Sequence, residues 1–200
     1  GAVHAADGYF RASGRMALAV CTSGPAATNF VTGLYTAQID SIPLIAITGQ
    51  NVRSQLGKES FQCVDIAQIA GPVVKKSWCI TEPNQVPGIM RKAFQIAREG
   101  RPGPVLIDLP LDVQQAEINY DPSVDHSLPV SKPSPDTRAI EKAIKMLLSA
   151  EKPVILAGGG VILSEAAEEL KDFAEKLSEW IREGKIARGF LHELLEIYNL

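Results

Sequence analysis

Short apolar runs alternate with amphipathic stretches along the first 110 residues. The apolar runs are bounded by Pro, Gly or polar residues and occupy positions 16–21, 43–48 and 104–109, and a further strand is predicted at 75–80. Runs of this length are typical of parallel strands that are covered on both faces. Apolar side chains at helical spacing predict helices at residues 2–13, 26–39 and 85–98. This alternation predicts the α/β class, with a doubly wound, mostly parallel sheet.

The pattern changes over residues 110–136. Five prolines punctuate a polar stretch, which predicts a first domain over residues 1–115 and an interdomain linker over 116–136. A second α/β domain is expected to begin at 137 and to run to 177. Its predicted elements are a helix at 137–149, a strand at 153–157, a turn at the glycines 158–160 and a helix at 164–176.

Residues 178–200 follow neither pattern. They read as an amphipathic helical tail with glycines at positions 184 and 189. We interpret this segment as a terminus separate from the second domain, and the sequence indicates no function for it.

Composition and charge exclude several classes of partner. The net charge of −3 is spread over scattered residues, so neither a nucleic-acid surface nor a membrane surface is expected. No apolar stretch approaches the roughly 18 residues that a transmembrane helix needs. Three cysteines without metal-ligand spacing favour a reducing, cytoplasmic location.

Polar or turn-forming residues flank the predicted strands, and an open α/β sheet places its ligands beyond the carboxyl ends of its strands. Residues 22–29 (Thr-Ser-Gly-Pro-Ala-Ala-Thr-Asn) join a strand to a helix, and Phe61-Gln62 lies in a polar, irregular loop. A Gly-Arg-Pro-Gly turn at 100–103 precedes the last strand. In this order and spacing, the motifs resemble the thiamine-diphosphate enzymes of the acetolactate synthase and glyoxylate carboligase group, over roughly residues 1–176. The helical tail at 178–200 departs from this group and is expected to be a non-family terminus.

The resemblance implies a cofactor site and a substrate site. Pro25, Asn29 and Gln62 match positions that contact thiamine diphosphate, so residues 1–115 correspond to its pyrimidine-binding domain. Phe61 matches a wall of the substrate cavity, which makes Phe61 and Gln62 the candidate catalytic residues. Lys58, with Arg53, could attract the carboxylate of a 2-oxo acid, although two solvated surface cations explain them equally well.

The resemblance also implies FAD, which this group retains for structural reasons. Ser41 and Arg101 match FAD-contacting positions, and Gly159 lies in the glycine triplet of a central, FAD-binding domain. By itself the triplet is weak evidence for a nucleotide, although glycines ahead of a helix let a backbone approach a ligand closely.

Two functional parts of such enzymes are expected outside this sequence. The glutamate that activates the cofactor would stand two residues before Gly1, and the domain that holds Mg²⁺ and the diphosphate would be separate. The resemblance places each active site between two subunits of a homo-oligomer, a dimer or tetramer. The 200-residue chain alone is therefore expected to be inactive and to offer no metal ligands.

Within the group, Leu111 favours glyoxylate carboligase (tartronate-semialdehyde synthase). Acetolactate synthases carry a Lys between the Pro and Asp that here are Pro110 and Asp112. The expected reaction decarboxylates one 2-oxo acid and joins the remainder to a second. Acetolactate synthase, which uses pyruvate, is the alternative. A hypothesis of a different functional class is that the chain is inactive and acts only as a binding or association module.

Overall fold

The computed structural model describes residues 1–124, 126–131, 134–150 and 152–182. The chain divides into two compact units, Gly1–Pro133 and Ser134–Leu200. The division falls inside the segment 116–136 that the sequence predicts to be a linker.

A four-stranded parallel sheet forms the centre of the first unit. Its strands are β1 (Ala17–Cys21), β2 (Leu44–Gln50), β3 (Lys76–Cys79) and β4 (Val105–Pro110). They lie in the order β1-β2-β4-β3, and every neighbouring pair is parallel. The predicted α/β class with a parallel sheet is thus confirmed, and each strand begins within one residue of its predicted start.

Among the described residues, six α-helices accompany this sheet: α1 (Ala2–Ser13), α2 (Pro25–Thr28), α3 (Phe30–Ile39), α4 (Ile66–Ala70), α5 (Val86–Arg98) and α6 (Leu111–Gln114). Helix α1 ends at Gly14, whose φ of 68° is the left-handed conformation that glycine adopts without strain. The helix predicted at 26–39 is divided at Asn29 into α2 and α3. The pattern did not predict α4 or α6 because four or five residues are too few to display a helical repeat.

Each face of the sheet has its own hydrophobic cluster, because side chains alternate between the faces along a strand. Leu44 and Ala46 of β2 lie in the cluster that includes Leu34 of α3. Ile45 of β2 lies in the opposite cluster with Ala93 of α5. Burial on both faces explains why β2 and β4 read as continuous apolar runs.

Strand β1 departs from the predicted burial on both faces. Ala17 and Ala19 pack into the cluster beneath α1 and α3, but Leu18 and Val20 are 44% and 65% exposed. Helix α5 packs against β2 and β4 on that face, and its cluster leaves these two side chains uncovered.

The described part of the second unit is helical. Helix α7 (Thr137–Ser149) confirms the predicted helix, and Asp136 caps it by accepting a hydrogen bond from the Arg138 N–H at 3.0 Å. It is followed by α8 (Gly159–Leu163) and α9 (Ala167–Arg182). The helix predicted at 164–176 therefore starts later and ends later than expected.

The strand predicted at residues 153–157 is wrong. These residues form no ladder, and Leu156 is 82% exposed. A strand needs a neighbour to satisfy its backbone N–H and C=O groups, and within the described part of this unit no other strand is present. Of the predicted tail at 178–200, residues 178–182 belong to α9 and the remainder lies outside the described residues.

Across the described residues, the structure has no helix with both the length and the apolar character needed to cross a membrane.

Replacing Gly33 by Ala tests the packing of α3 on α1. A Cβ at Gly33 would lie 2.8 Å from Cβ and Cγ1 of Val3. We expect G33A to lower the free energy of unfolding by about 1–3 kcal/mol, measured by urea denaturation with circular dichroism. The matched control is Gly8→Ala in α1, where nothing lies within 4 Å of the added Cβ. That variant should gain about 0.5–1 kcal/mol from helix propensity. Equal stability of the two variants would contradict the described packing.

Candidate functional site

A cleft of about 500 Å³ opens at the carboxyl ends of β1, β2 and β4. In open parallel sheets, ligands bind beyond this carboxyl end of the strands. The cleft is lined by residues from these strand ends and from the segments that follow them: Val20, Cys21, Thr22, Ser23, Ile47, Thr48, Gly49, Gln50, Asn51, Val52, Gln55, Leu109, Leu111 and Gln114. Of the predicted site residues, Leu111 alone is among them.

A backbone contact at Gly24 brings the turn at 22–29 against the loop at 51–64. Gly24 has φ 65° and ψ −129°, and a Cβ there would lie 2.7 Å from Cβ of Gln62. Gln62 itself has φ 57°, which is uncommon for a residue other than glycine. The close approach therefore needs glycine at position 24, both for its conformation and for its missing side chain.

Three of the predicted cofactor contacts lie around Gly24. Pro25 is the next residue and opens α2, and the Asn29 N–H donates to the Pro25 carbonyl at 3.0 Å, one helical turn on. Gln62 faces Gly24 from the loop. All three are exposed, and the Asn29 side chain makes no capping hydrogen bond. Thr22 and Ser23, which line the cleft, connect this surface to it.

Phe61 and Lys58 lie on the same loop and project from it. Phe61 is 85% exposed, so its ring does not contribute to the core. Lys58 is exposed and follows Gly57, whose φ of 72° permits the turn there. Both are therefore accessible to a substrate.

Arg53, by contrast, is occupied by a carboxylate of its own chain. Its Nε donates to Asp112 Oδ2 at 2.8 Å, its backbone N–H donates to Asp112 Oδ1 at 3.1 Å, and its Nη1 donates to the Thr81 carbonyl at 2.9 Å. The same guanidinium lowers the pKa of the Asp112 carboxyl. Arg53 thus anchors the start of the loop, whereas Lys58 projects from it.

A buried carboxylate, Asp108, lies next to the cleft and was not identified from the sequence. It is 1% exposed. Thr48 Oγ1 donates to Asp108 Oδ1 at 2.6 Å, and Gln50 Nε2 donates to Asp108 Oδ2 at 2.9 Å. The sequence did offer a signal for this site, namely a charged residue inside the apolar run 105–110. A charged side chain is buried only where hydrogen-bond or charge partners surround it.

Burial raises the pKa of Asp108 to about 6, and the hydrogen bonds from Thr48 and Gln50 oppose that rise because they favour the ionised form. Cys21 of β1 and Cys79 of β3 lie in the same register row as Thr48 and Asp108. Burial, followed by the negative charge of Asp108, raises the pKa of the Cys21 thiol to about 11. The cysteine is therefore a neutral thiol at physiological pH.

Ser41 and Arg101, the predicted FAD contacts of the first unit, meet at the amino end of the sheet. Arg101 Nε donates to Ser41 Oγ at 2.8 Å, and its Nη2 donates to the Ile39 carbonyl at 2.6 Å. The pair thus caps the carboxyl end of α3. Because the strands are parallel, the Ser41–Arg101 pair lies at the opposite end of the sheet from the cleft. Gly159, the third predicted contact, opens α8 in the second unit.

No three His, Cys, Asp or Glu side chains that could hold a metal ion come together among the described residues.

Two family models match the chain. Residues 1–69 match the thiamine pyrophosphate enzyme N-terminal TPP binding domain, and residues 140–195 match the thiamine pyrophosphate enzyme central domain. The chain belongs to the thiamine pyrophosphate enzyme family. This confirms the resemblance drawn from the motifs. The central-domain match includes residues 178–195, which the sequence pattern had set apart from the second domain.

Relatives within this thiamine pyrophosphate enzyme family agree with that assignment. A glyoxylate carboligase from Escherichia coli O157:H7 is 52% identical over 179 residues, covering 89% of this chain and 30% of its own length. An acetolactate synthase large subunit from Corynebacterium glutamicum is 48% identical over 179 residues, covering 88% and 28%. A probable acetolactate synthase large subunit from Methanococcus aeolicus is 46% identical over 200 residues, covering 96% and 33%. The chain thus spans about a third of the length of its relatives.

We expect Asp108→Asn to alter how stability depends on pH. Asp108 has a pKa of about 6 in the folded protein, above its ordinary value of 3.8. Folding therefore favours the protonated form, and this group adds stability as the pH falls from 7 to 4. Over that range the free energy of unfolding of the wild type should rise relative to D108N by about 2–3 kcal/mol. Urea denaturation between pH 3 and 7 measures it.

Asp112→Asn is the control, because Arg53 lowers the pKa of Asp112. The stabilising contribution of Asp112 is lost, not gained, as the pH falls below the ordinary value of 3.8. If the wild type and D108N show parallel pH profiles, Asp108 does not titrate as described.

Proposed function

We propose that this chain is part of a thiamine-diphosphate-dependent carboligase that decarboxylates glyoxylate and joins the remainder to a second glyoxylate. The observation that carries the proposal is the contact between Gly24 and Gln62. It brings Pro25, Asn29 and Gln62 to one exposed surface, in the unit whose first 69 residues match a TPP binding domain.

The residues around Gly24 suit an aromatic ring with polar edges. The missing side chain of Gly24 lets Gln62 lie against the turn, Pro25 offers an exposed apolar face, and the amides of Asn29 and Gln62 can each donate and accept hydrogen bonds. These residues would hold the pyrimidine part of the cofactor. When bound, thiamine diphosphate supplies the carbanion stabilisation that 2-oxo acid decarboxylation needs. Mg²⁺ and the diphosphate would be held by residues outside this chain.

The substrate would bind where the cleft meets the loop. Leu111 is 47% exposed and lines the cleft, so it presents an apolar wall. Phe61 would close the cavity from the loop. Lys58 would attract the substrate carboxylate, since Arg53 is paired with Asp112. An apolar residue at position 111 supports glyoxylate as the substrate. Acetolactate synthase is the second candidate, because relatives of that name are nearly as similar.

FAD is proposed as a structural cofactor at the amino end of the sheet. Arg101 is exposed there and is held in place by Ser41 and the end of α3, so its charge is available to an anionic group. In the second unit, taken by itself, Gly159 at the start of α8 is proposed as an FAD contact, since glycine lets a backbone approach a ligand closely. We further propose that the whole protein is a cytoplasmic homo-oligomer, with each active site between two subunits.

A carbon dioxide release assay tests the reaction. The complete protein that contains this sequence is incubated with thiamine diphosphate, Mg²⁺ and either glyoxylate or pyruvate. We expect release above a cofactor-only blank, with glyoxylate the better substrate by kcat/KM. The 200-residue chain alone should show none. Higher specificity for pyruvate would favour acetolactate synthase, and no turnover of either acid would favour the binding-module reading.

Leu111→Lys should move the preference of the complete protein toward pyruvate. A cation in the cleft reshapes the space that the second 2-oxo acid occupies, and we expect the ratio of kcat/KM for glyoxylate to that for pyruvate to fall about tenfold, or roughly 1.4 kcal/mol in transition-state stabilisation. Leu111→Met is the matched control, since it keeps an apolar side chain of similar volume. Equal ratios in both variants would remove Leu111 from the specificity site.

A further inference from the structure

Gln50 is buried at the carboxyl end of β2, where it makes three hydrogen bonds through its side chain. Nε2 donates to Asp108 Oδ2 at 2.9 Å and to the Val64 carbonyl at 2.7 Å, while Oε1 accepts from the Asn51 N–H at 2.9 Å. Both amide protons and one acceptor site are thereby used. Because the Gln50 side chain is 6% exposed and both of its amide protons are in hydrogen bonds, its amide group is held in one orientation.

These bonds connect the sheet to both sides of Gln62. The Val64 carbonyl lies two residues after Gln62 and is bound by Gln50 directly. Phe61 lies immediately before it, and its carbonyl accepts from Asn51 Nδ2 at 3.0 Å. Because Gln50 Oε1 holds the Asn51 backbone, the second connection also depends on Gln50.

Apolar burial does little to hold Phe61 and Gln62, although Val64 packs against the cluster that includes Leu34. Phe61 is 85% exposed, Gln62 is exposed, and Gln62 adopts a left-handed φ of 57° that has to be maintained by its surroundings. The contact with Gly24, the packing of Val64 and the hydrogen bonds that begin at Gln50 provide those surroundings.

We propose that Gln50, oriented by the Asp108 carboxylate, is the positioning residue that keeps Gln62 seated against Gly24. Gln50 acts through Asn51 and Val64 and has no role in the chemistry itself. The inference rests on the proposed function, since it concerns the geometry of the same cofactor surface. It assigns a purpose to a buried carboxylate that is otherwise costly to place at the end of a central strand.

Hydrogen–deuterium exchange without cofactor tests the positioning. In Gln50→Met, which preserves the approximate volume, we expect exchange of residues 57–64 to be about tenfold faster, because two hydrogen bonds to the loop are lost. Ser77→Ala is the matched control. Ser77 Oγ donates to the Ala67 carbonyl at 2.7 Å, so this variant also removes a hydrogen bond from a strand side chain to a backbone carbonyl. Exchange of 57–64 in S77A should match the wild type.

Asn51→Ala gives a second, milder variant in case Q50M does not fold. Asn51 is half-buried, and its loss removes the connection to Phe61 while Gln50 and Asp108 stay in place. Faster exchange confined to the residues next to Phe61 supports the proposal. Unchanged exchange in both variants, or equal acceleration in S77A, overturns it.

Isothermal titration of the complete protein with thiamine diphosphate and Mg²⁺ distinguishes a failure of the Gln50 proposal from a failure of the proposed function. We expect the Kd to rise about tenfold in Q50M and to remain within about twofold of the wild type in S77A. If the wild type does not bind thiamine diphosphate, the proposed function fails, while the exchange data still decide whether Gln50 holds the loop. If Q50M binds as tightly as the wild type, Gln50 does not position a cofactor contact.

Discussion

The buried carboxylate of Asp108 is the constraint on which the site end of the sheet depends. It lies on β4, between β2 and β3, where it is almost free of solvent contact. An ionised group in that position is strongly unfavourable unless donors surround it. Thr48 and Gln50 supply those donors from the neighbouring strand, and their own orientations are determined in return. The apolar core therefore ends at a row of polar side chains rather than extending to the rim of the cleft.

The second constraint is steric. Gly24 and Gln62 approach so closely that a methyl group at position 24 would overlap the Gln62 side chain. A turn and a loop far apart in sequence thus become one surface, to which two main-chain conformations with positive φ contribute. The steric constraint at Gly24 acts on Gln62 directly, whereas the electrostatic constraint at Asp108 acts through Gln50 on the neighbouring Val64 carbonyl. Together they explain how an exposed loop can hold a defined conformation next to a cleft.

The polar side chains at the two ends of the sheet make different kinds of contact. At the carboxyl end, polar side chains surround a cleft, as is usual for open parallel sheets. At the amino end, Arg101 donates to the Ile39 carbonyl, the last of α3, while Ser41 Oγ accepts from the same guanidinium. Within the first unit, the residues that the resemblance associates with thiamine diphosphate and with FAD therefore lie at opposite ends of one sheet.

The sequence by itself determined the fold class, the four strands and the longer helices of the first unit, because strand and helix periodicity are local properties. It also determined family membership, since the motif at 22–29 and the Phe61–Gln62 pair are readable in order. It failed at residues 153–157, where an apolar run reads as a strand but strand pairing depends on a neighbour elsewhere in the fold. It also failed to show that Leu18 and Val20 of β1 are exposed.

The arrangement of the site required the tertiary structure. Nothing in the sequence pairs Arg53 with Asp112, or Gln50 with Asp108, since these partners are about sixty residues apart and meet only when strands become parallel neighbours. The same holds for the contact of Gly24 with Gln62. Local patterns specify which elements form. The register between strands and the close approach of backbone segments decide which side chains share a site, and those depend on the packing of the whole unit.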